Sequence, residues 1–354
     1  GGDTIWMELF HYWSKKDSVS LHISKEAENL LWHERGNPLS PTLFNIARNT
    51  IFKLFKGIRT LPNNSYDYVY SVSDFYPDLI PALVYKLKHP ESKWLAGYYL
   101  VVPPPIGSYS PYKGFSWVKG LLYWLMQIPS RWAVNKWADI VFITSEPDRK
   151  YFPNKKVVVV RGGVTETGER NPNPYYDAIF IGRFHYQKGV LELLDIWNEV
   201  VKFKPNAQLC MIGDGPLMKD VLKKKDKLYL SKNITVVGFK KGNEKYELIK
   251  NSRVVVHPAT FDSGGMACAE AMAFGLPAVG FWLRAYETYY PKGMIKVGDN
   301  RLGENSITSF AYAILSFLNN ERIYEYHSKD AKDLIKEEWI WEKPVEKAPM
   351  IETN

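Results

Sequence analysis

Two basic residues stand close together in a short segment that could bind an anion. Residues 182–189 read GRFHYQKG, in which Arg183 and Lys188 are the two cations. An apolar run that predicts a strand precedes the segment, and an amphipathic run that predicts a helix follows it. Because a helix N-terminus carries partial positive charge, both cations could converge there on one diphosphate. Two solvated surface cations are the alternative interpretation.

A second segment combines acidic residues with glycines. Residues 261–277 read FDSGGMACAEAMAFGLP, which predicts a helix opened by Gly264 and Gly265 and closed by the Gly-Leu-Pro triplet. The backbone amides of Gly265 and Met266 would face the edge of the sheet. Glu270 falls inside an otherwise apolar helix, where an unpaired carboxylate would be costly to bury. We expect Glu270 either to bind ligand hydroxyls or to form a structural salt bridge.

A third segment, Gly-Asp-Gly-Pro at residues 213–216, follows another apolar run. Its glycines and Asp214 would let the backbone pass close to a flat ligand such as a nucleobase. Taken alone, the tetrapeptide would be an ordinary turn.

The chain that must position these segments alternates strands and helices, which predicts an α/β fold with parallel sheets. Ligands of such sheets bind at the C-terminal ends of the strands. A glycine- and proline-rich stretch at residues 162–174 predicts a linker between two domains. The predicted strands are residues 18–24, 66–73, 95–102, 139–144, 156–160, 177–181, 207–212, 234–237, 254–256 and 278–281, and the predicted helices include 43–59, 77–88, 190–203 and 216–222.

Length and charge are compatible with two domains and an anionic partner. The chain has 354 residues, a formal net charge of +8 and a pI of about 9.1. It has no long Lys/Arg tract and no nucleic-acid-binding signature, so we do not expect nucleic acid as the partner. The longest apolar run, residues 117–128, contains Lys119 and is shorter than the ~20 residues of a membrane-spanning helix.

The two cysteines, Cys210 and Cys268, both lie in apolar segments. Without a disulfide framework or a visible signal peptide, a cytoplasmic location is expected. No cluster has metal-ligand spacing, so no metal is expected either.

In combination, these segments resemble the retaining glycosyltransferases of family four, which have the GT-B fold of two Rossmann-like domains facing across a cleft. The resemblance is strong over residues 177–298, through GRFHYQKG, MIGDGP, VVGF and HPATFDSGG…EAMAFGLP. It is weaker in the first half, in SEPDRKYF and RGGV. We therefore expect an N-terminal acceptor-side domain at residues 1–168, a nucleotide-sugar domain at 169–336, and a C-terminal helix at 337–354 that crosses back and contains EWIWE.

The resemblance implies that a sugar is transferred from a nucleoside-diphosphate sugar to a glycan or lipid-linked acceptor, with retention and without a metal or other cofactor. Arg183 and Lys188 would neutralise the diphosphate, Glu270 would bind the ribose, and Asp262 would hold hydroxyls of the transferred sugar. The remaining positions expected at the donor are Gly2, Asp214, Gly264, Gly265 and Met266. A nucleotide-sugar epimerase and a non-catalytic nucleotide-sugar or glycan-binding protein are the alternatives.

Several positions depart from the family pattern. Asp replaces Glu at 262, and Gly264 replaces a bulky residue, which would widen the sugar pocket. Prolines follow the predicted strand at 95–102 where a histidine is usual, so no catalytic histidine is assigned and Tyr99 is only a candidate. His257 is interpreted as structural. Gly1-Gly2 resembles a donor-facing loop without a preceding strand, which suggests that the natural N-terminus lies further upstream.

The first half also contains a basic and aromatic region. Residues 114–137 interleave four tryptophans with Lys and Arg, and the helix at 43–59 carries four cations beside an apolar stripe that includes Ile51 and Phe55. This pattern is typical of helices that lie on an anionic membrane. Packing of the same residues in the core is the alternative.

Overall fold

The structure is a computed structural model that describes residues 2–15, 18–20, 43–106, 116–165, 167–262, 264–298 and 304–346. The chain divides into two compact units, residues 1–161 with 345–354, and residues 162–344. Each unit contains a parallel β-sheet with helices, which confirms the predicted α/β class. The units divide between residues 161 and 162, whereas the sequence placed the first domain limit after 168.

The first unit contains a four-stranded parallel sheet in the order β1-β2-β3-β4. Its buried core includes Trp94, Val141 and Ile143, and the indole nitrogen of Trp94 donates to Ser71 Oγ at 3.0 Å. Its elements are α1 (Gly2–Trp13), α2 (Leu43–Arg59), β1 (Tyr68–Ser71), α3 (Tyr76–Lys88), β2 (Lys93–Gly97), α4 (Ser116–Trp137), β3 (Ile140–Ile143), a 3₁₀ helix (Glu146–Tyr151) and β4 (Lys156–Val159).

The second unit contains a six-stranded parallel sheet in the order β10-β9-β8-β5-β6-β7. Its elements are β5 (Tyr176–Ile181), a 3₁₀ helix (Tyr186–Lys188), α5 (Val190–Phe203), β6 (Leu209–Ile212), α6 (Met218–Lys227), β7 (Ile234–Gly238), α7 (Gly242–Lys250), β8 (Ser252–His257), α8 (Met266–Met272), β9 (Ala278–Phe281), α9 (Arg284–Tyr289), β10 (Met294–Val297), α10 (Glu304–Asn319) and α11 (Glu321–Glu338). The last helix, α12 (Glu342–Glu346), spans the division after residue 344.

The second sheet is buried on both faces, as the continuous apolar strands predict. Along β5, Ala178 and Phe180 belong to one core cluster and Ile179 and Ile181 to the other. The first strand of this unit, β5, lies between β6 and β8, so the strand order reverses there. In doubly wound sheets a ligand binds at this switch point, at the C-terminal strand ends. The loops after β5 and β8 are therefore the expected location of a ligand site.

Most predicted elements are present, but two predictions need correction. The strand predicted at 95–102 is wrong beyond Gly97, because the side chain of Gln127 binds the Leu100 carbonyl and the Val102 amide in place of a neighbouring strand. The segment expected as a helix at 337–354 is interrupted: α11 ends at Glu338, Ile340 pairs with Val164 of the same unit, and α12 begins at Glu342, while residues 347–354 lie outside the described residues. Of the strand predicted at 18–24, residues 21–24 lie outside the described residues.

Candidate functional site

The site lies where β5 and β8 end, at the switch point of the second sheet. Lys188 is the last residue of the 3₁₀ helix after β5, and its Nζ forms an ion pair with Oδ2 of Asp262 in the loop after β8. The two loops are also joined through the backbone, because the amide of Thr260 donates to the carbonyl of Gln187 at 2.9 Å. The structure thus brings together two predicted site residues that lie 74 positions apart in sequence.

Gly189 allows this close approach. Its φ is +64°, and a Cβ at this position would lie 1.8 Å from the carbonyl oxygen of Pro258 in the neighbouring loop. An L side chain would be disfavoured by the backbone and excluded by the contact. Gly189 is also the N-cap of α5, so the positive end of a 14-residue helix directly follows Lys188.

The carboxylate of Asp262 is saturated with hydrogen bonds. Oδ1 accepts from the amides of Gly264 at 3.1 Å and Gly265 at 2.9 Å, while Oδ2 binds Lys188 and the Nε2 of His257 at 2.9 Å. These four partners use the roughly four acceptor positions of a carboxylate. The predicted arrangement, with Asp262 holding sugar hydroxyls and both glycine amides facing the donor, does not fit this conformation, in which those groups bind one another.

Charge keeps Asp262 ionised despite its burial. Burial alone would raise the pKa of this carboxyl, but Lys188 and His257 together hold the pKa well below its ordinary value. Burial and the charge of Lys188 lower the pKa of His257 despite the neighbouring carboxylate. Nδ1 of His257 is buried and has no hydrogen-bond partner among the described residues. A neutral imidazole with its proton on Nε2 fits the lowered pKa, the contact of Nε2 with Asp262 and the unpartnered Nδ1.

Two tyrosines at α9 support the glycine loop. Tyr290 donates its hydroxyl proton toward the carbonyls of Gly265, at 2.7 Å, and Gly264, at 3.0 Å. The ring of Tyr289 lies 3.3 Å from where a Cβ at Gly264 would be. A tyrosine ring therefore occupies the space beside Gly264, which corrects the prediction that the missing side chain widens the pocket.

The other two predicted site residues on these loops have different surroundings. Arg183, at the start of the β5 loop, has an exposed side chain. Glu270 lies on α8 and forms an ion pair with Lys245 of α7, Oε1 to Nζ 2.9 Å, with 29% of the Glu270 side chain exposed. The salt bridge is the alternative that the sequence had left open for this carboxylate. Partial exposure leaves it accessible to a ligand as well.

Asp214 lies in a loop that packs beside the Lys188 loop. Its side chain is exposed and accepts from the Gly215 amide at 2.6 Å, while its carbonyl accepts from the amide of Phe184 at 2.9 Å. Gly213 has φ +146°, and a Cβ there would lie 1.8 Å from the Gly182 carbonyl oxygen. The backbone of the predicted nucleobase-binding turn is therefore fixed against the predicted diphosphate loop.

The remaining predicted positions are at helix starts or in the first unit. Met266 is the first residue of α8, where backbone amides lack partners within the helix. Gly2 is the first residue of α1, and Gly1 lies outside the described residues. Tyr99 is buried with its hydroxyl bound to that of Tyr70.

Sequence reasoning missed three residues of this site. His257, interpreted as merely structural, contacts Asp262, and its position as the last residue of β8 was the available signal. Lys245 was not considered, because nothing in the local pattern connects α7 to Glu270. Tyr290 likewise reaches the glycine loop from 25 positions away.

Among the described residues, no group of three or more His, Cys, Asp or Glu side chains could hold a metal ion. In the same part of the chain, no helix combines the length and the apolar character needed to cross a bilayer.

The fold is that of GT-B glycosyltransferases. The structure matches Anabaena HepE, solved in complex with UDP-glucose, with a TM-score of 0.71 and 14% identity, covering 98% of this chain and 94% of that one. It also matches TarM of S. aureus, solved with Fondaparinux, alpha-GlcNAc-glycerol and UDP, with a TM-score of 0.67 and 16% identity over 85% of this chain and 58% of that one.

The sequence comparisons agree with the fold. Residues 166–336 match the family described as glycosyl transferases group 1, so the second unit carries the signature of that family. The amylovoran biosynthesis glycosyltransferase AmsD of Erwinia amylovora is 29% identical over 157 residues, 41% of this chain and 43% of the relative. The alpha-monoglucosyldiacylglycerol synthase of Acholeplasma laidlawii is 25% identical over 160 residues, 45% of this chain and 39% of the relative. These alignments span less than half of either relative.

Proposed function

We propose that this protein is a retaining glycosyltransferase that moves a sugar from a nucleoside-diphosphate sugar to a glycan or lipid-linked acceptor. The observation that carries the proposal is the ion pair of Lys188 and Asp262 at the switch point of the second sheet. The pair lies within the segment that matches the group 1 family. The presence of UDP-glucose in the HepE structure supports a nucleotide sugar as the donor.

Lys188 would neutralise the diphosphate of the donor. Breaking the bond at the anomeric carbon produces an oxocarbenium-like sugar and a diphosphate anion, so a fixed cation stabilises the transition state more than the ground state. Asp262, which binds Lys188, His257 and two backbone amides, would act as a positioning residue that holds this cation in place. Arg183, exposed on the same loop, would supply the second cation.

The neighbouring loops would bind the rest of the donor. Glu270, partly exposed beside Lys245, would accept hydrogen bonds from the ribose hydroxyls. The rigid turn at Asp214 would lie against the base. The remaining proposed contacts are the backbone groups of Gly2, Gly264, Gly265 and Met266, the two glycines after rearrangement of their bonds to Asp262.

Because Lys188, Arg183 and the N-terminus of α5 can supply the positive charge, we propose a reaction that needs no metal. A cytoplasmic location is supported by Cys210 and Cys268, which are both buried and unpaired. The similarity to an alpha-monoglucosyldiacylglycerol synthase supports a lipid-linked acceptor, and the similarity to an amylovoran biosynthesis glycosyltransferase supports a glycan. Retention rests on the family resemblance, and the anomeric configuration of the product, read by NMR, tests it.

The function is tested by release of nucleoside diphosphate from a panel of nucleotide sugars, beginning with UDP-glucose, with and without candidate acceptors. Lys188→Ala should lower kcat/KM by about 100-fold or more, as expected for the loss of a group that stabilises developing charge. Lys224→Ala is the matched control, because Lys224 pairs with Asp195 in the same unit and its side chain is equally exposed, 29% against 28%.

Other results would favour the alternatives. Interconversion of two nucleotide sugars without release of nucleoside diphosphate would indicate an epimerase. Saturable binding without turnover on any donor would indicate a binding protein. Equal activity of the Lys188 and Lys224 variants would show that the site is placed wrongly.

The role of Glu270 has a separate test. The Glu270→Ala variant should bind UDP about tenfold more weakly than the parent does. Both proteins should bind 2′,3′-dideoxy-UDP equally, because this ligand lacks the ribose hydroxyls that Glu270 would contact. Isothermal titration calorimetry measures both affinities. An equal loss for both nucleotides would mean that Glu270 acts only through its salt bridge to Lys245.

A further inference from the structure

Two helices of the first unit expose large apolar side chains to solvent. On α2, Ile51, Phe52 and Phe55 are 55%, 67% and 69% exposed. Two of these, Ile51 and Phe55, belong to the apolar stripe for which the sequence left core packing as the alternative. On α4, the exposed apolar residues are Trp117, Val118, Leu122, Leu125, Met126, Ile128 and Trp132. The alternative of core packing therefore fails for these side chains.

The orientation of α2 explains the exposure. Gly57 faces α3, where a Cβ at that position would lie 2.9 Å from Cγ of Pro81. At 100° per residue, Phe52 and Phe55 point away from this contact. Lys56 and Arg59 lie on the same exposed face, interleaved with the two phenylalanines. The result is an amphipathic helix whose outer face is both apolar and basic.

On α4 the exposed residues form one continuous stripe. Val118, Leu122 and Leu125 follow the three- and four-residue spacing of a single helix face, and Trp132 lies on the same face about two turns further on. At its end, Lys136 lies over the ring of Trp132, 5.2 Å from the centroid. The helix α3 packs against both α2 and α4. The exposed faces thus belong to two helices that both pack against α3 in one compact unit.

Charge distinguishes the candidate occupants of these faces. The sequences of α2 and α4 contain no Asp or Glu, whereas they contain Arg48, Lys53, Lys56, Arg59, Lys119, Arg131 and Lys136. A second copy of this chain would bring like charges together. An anionic bilayer would neutralise them while its acyl boundary accepts the aromatic and aliphatic side chains.

We propose that α2 and α4 form a docking surface for an anionic lipid bilayer. The phenylalanines of α2 and the apolar stripe of α4 enter the boundary between headgroups and acyl chains, and the surrounding lysines and arginines bind the anionic headgroups. The inference stands on the first unit alone and holds whether or not the second unit transfers a sugar.

The proposal is tested by flotation of the full chain with vesicles of phosphatidylcholine, with and without phosphatidylglycerol. The parent protein should float with the anionic vesicles only, and added salt should reduce binding. Phe52→Ser/Phe55→Ser and Leu125→Ser/Trp132→Ser should each lower the partition coefficient by about tenfold or more, because each removes two large apolar groups. Lys56→Glu/Arg59→Glu should abolish the preference for anionic lipid.

Phe203→Ser is the matched control, because Phe203 is an exposed phenylalanine on α5 of the second unit and lies between Lys202 and Lys204. It should float like the parent. Circular dichroism and thermal melting show whether each variant is folded. The proposal is overturned if the parent ignores anionic vesicles, or if folded α2 and α4 variants float as it does. It is equally overturned if sedimentation shows a dimer that these substitutions dissociate while vesicle binding is unchanged.

Discussion

Two buried aspartates, one in each unit, follow strands of the two parallel sheets, and their pKa values are shifted in opposite directions. Asp74 lies three residues after the end of β1, and Asp262 lies five residues after the end of β8. Burial raises the pKa of Asp74 to about 6, and the hydrogen bond from Gln127 offsets only part of this effect. Lys188 and His257 instead hold the pKa of Asp262 well below its ordinary value.

The partner therefore decides what a buried carboxylate does. Asp74 accepts from Nε2 of Gln127 at 2.8 Å, and the same amide side chain binds the backbone of Leu100 and Val102. This network fixes the path of the chain after β2. Asp262 fixes a cation that remains 28% exposed to solvent. Asp74 thus supports the backbone of the first unit. Asp262, which is also buried and also follows a strand, holds a charged side chain in the second unit.

The largest expected effect comes from removing Lys188, the cation that distinguishes the surroundings of Asp262 from those of Asp74. Lys188→Met leaves Asp262 buried without its ammonium partner, which should cost about 3–5 kcal/mol at neutral pH. The cost should shrink at acid pH, because Asp262, now with a raised pKa, can be protonated there. Urea unfolding of the second unit at about pH 5 and about pH 8 measures both values. Lys224→Met, in an exposed pair, should cost about 1 kcal/mol or less. If Lys188→Met is as stable as Lys224→Met, the buried carboxylate of Asp262 does not depend on Lys188.

Removing the carboxylate should have a smaller effect. In Asp262→Asn the ammonium of Lys188 can turn to solvent, so the expected loss is about 1–3 kcal/mol. The pKa of His257 should fall further, because Asp262 favours the charged imidazole. Histidine ring NMR as a function of pH measures this shift. If the pKa of His257 is the same in the variant and in the parent, the 2.9 Å contact with Asp262 does not influence that pKa.

The smallest effect is expected at Asp74, and it has the opposite sign. Its folded-state pKa is raised from 3.8 to about 6, so its contribution to stability is complete only below the unfolded-state value and is lost as the pH rises through about 6. Asp74→Asn, which can still accept from Gln127, should therefore stabilise the first unit by about 1–2 kcal/mol at about pH 8 and change little at about pH 4. Thermal melts at both pH values test this. Destabilisation at about pH 8 would mean that the ionised carboxylate is needed.

The local parts of this molecule could be predicted from sequence. Helix α5 and strand β9 have the predicted bounds, because apolar periodicity and flanking glycines act within one element. The contacts that define the site could not be predicted. Lys188 lies 74 positions from Asp262 and Lys245 lies 25 positions from Glu270, and the fold of the second unit brings each pair together. The end of β2 was missed for a similar reason, since a distant glutamine replaces the expected strand.

The close approach at Gly189 also bears on how the chain folds. Strands β5 and β8 are neighbours in the sheet, but Lys188 and Asp262, in the two loops that Gly189 brings together, are 74 positions apart in sequence. Such long-range pairings form late, because the loop-closure entropy must be overcome first. Lys188 and Asp262 can meet only when the centre of the sheet has assembled. A chain that emerges gradually during synthesis would acquire the contact between Lys188 and Asp262 in one of the last steps of folding.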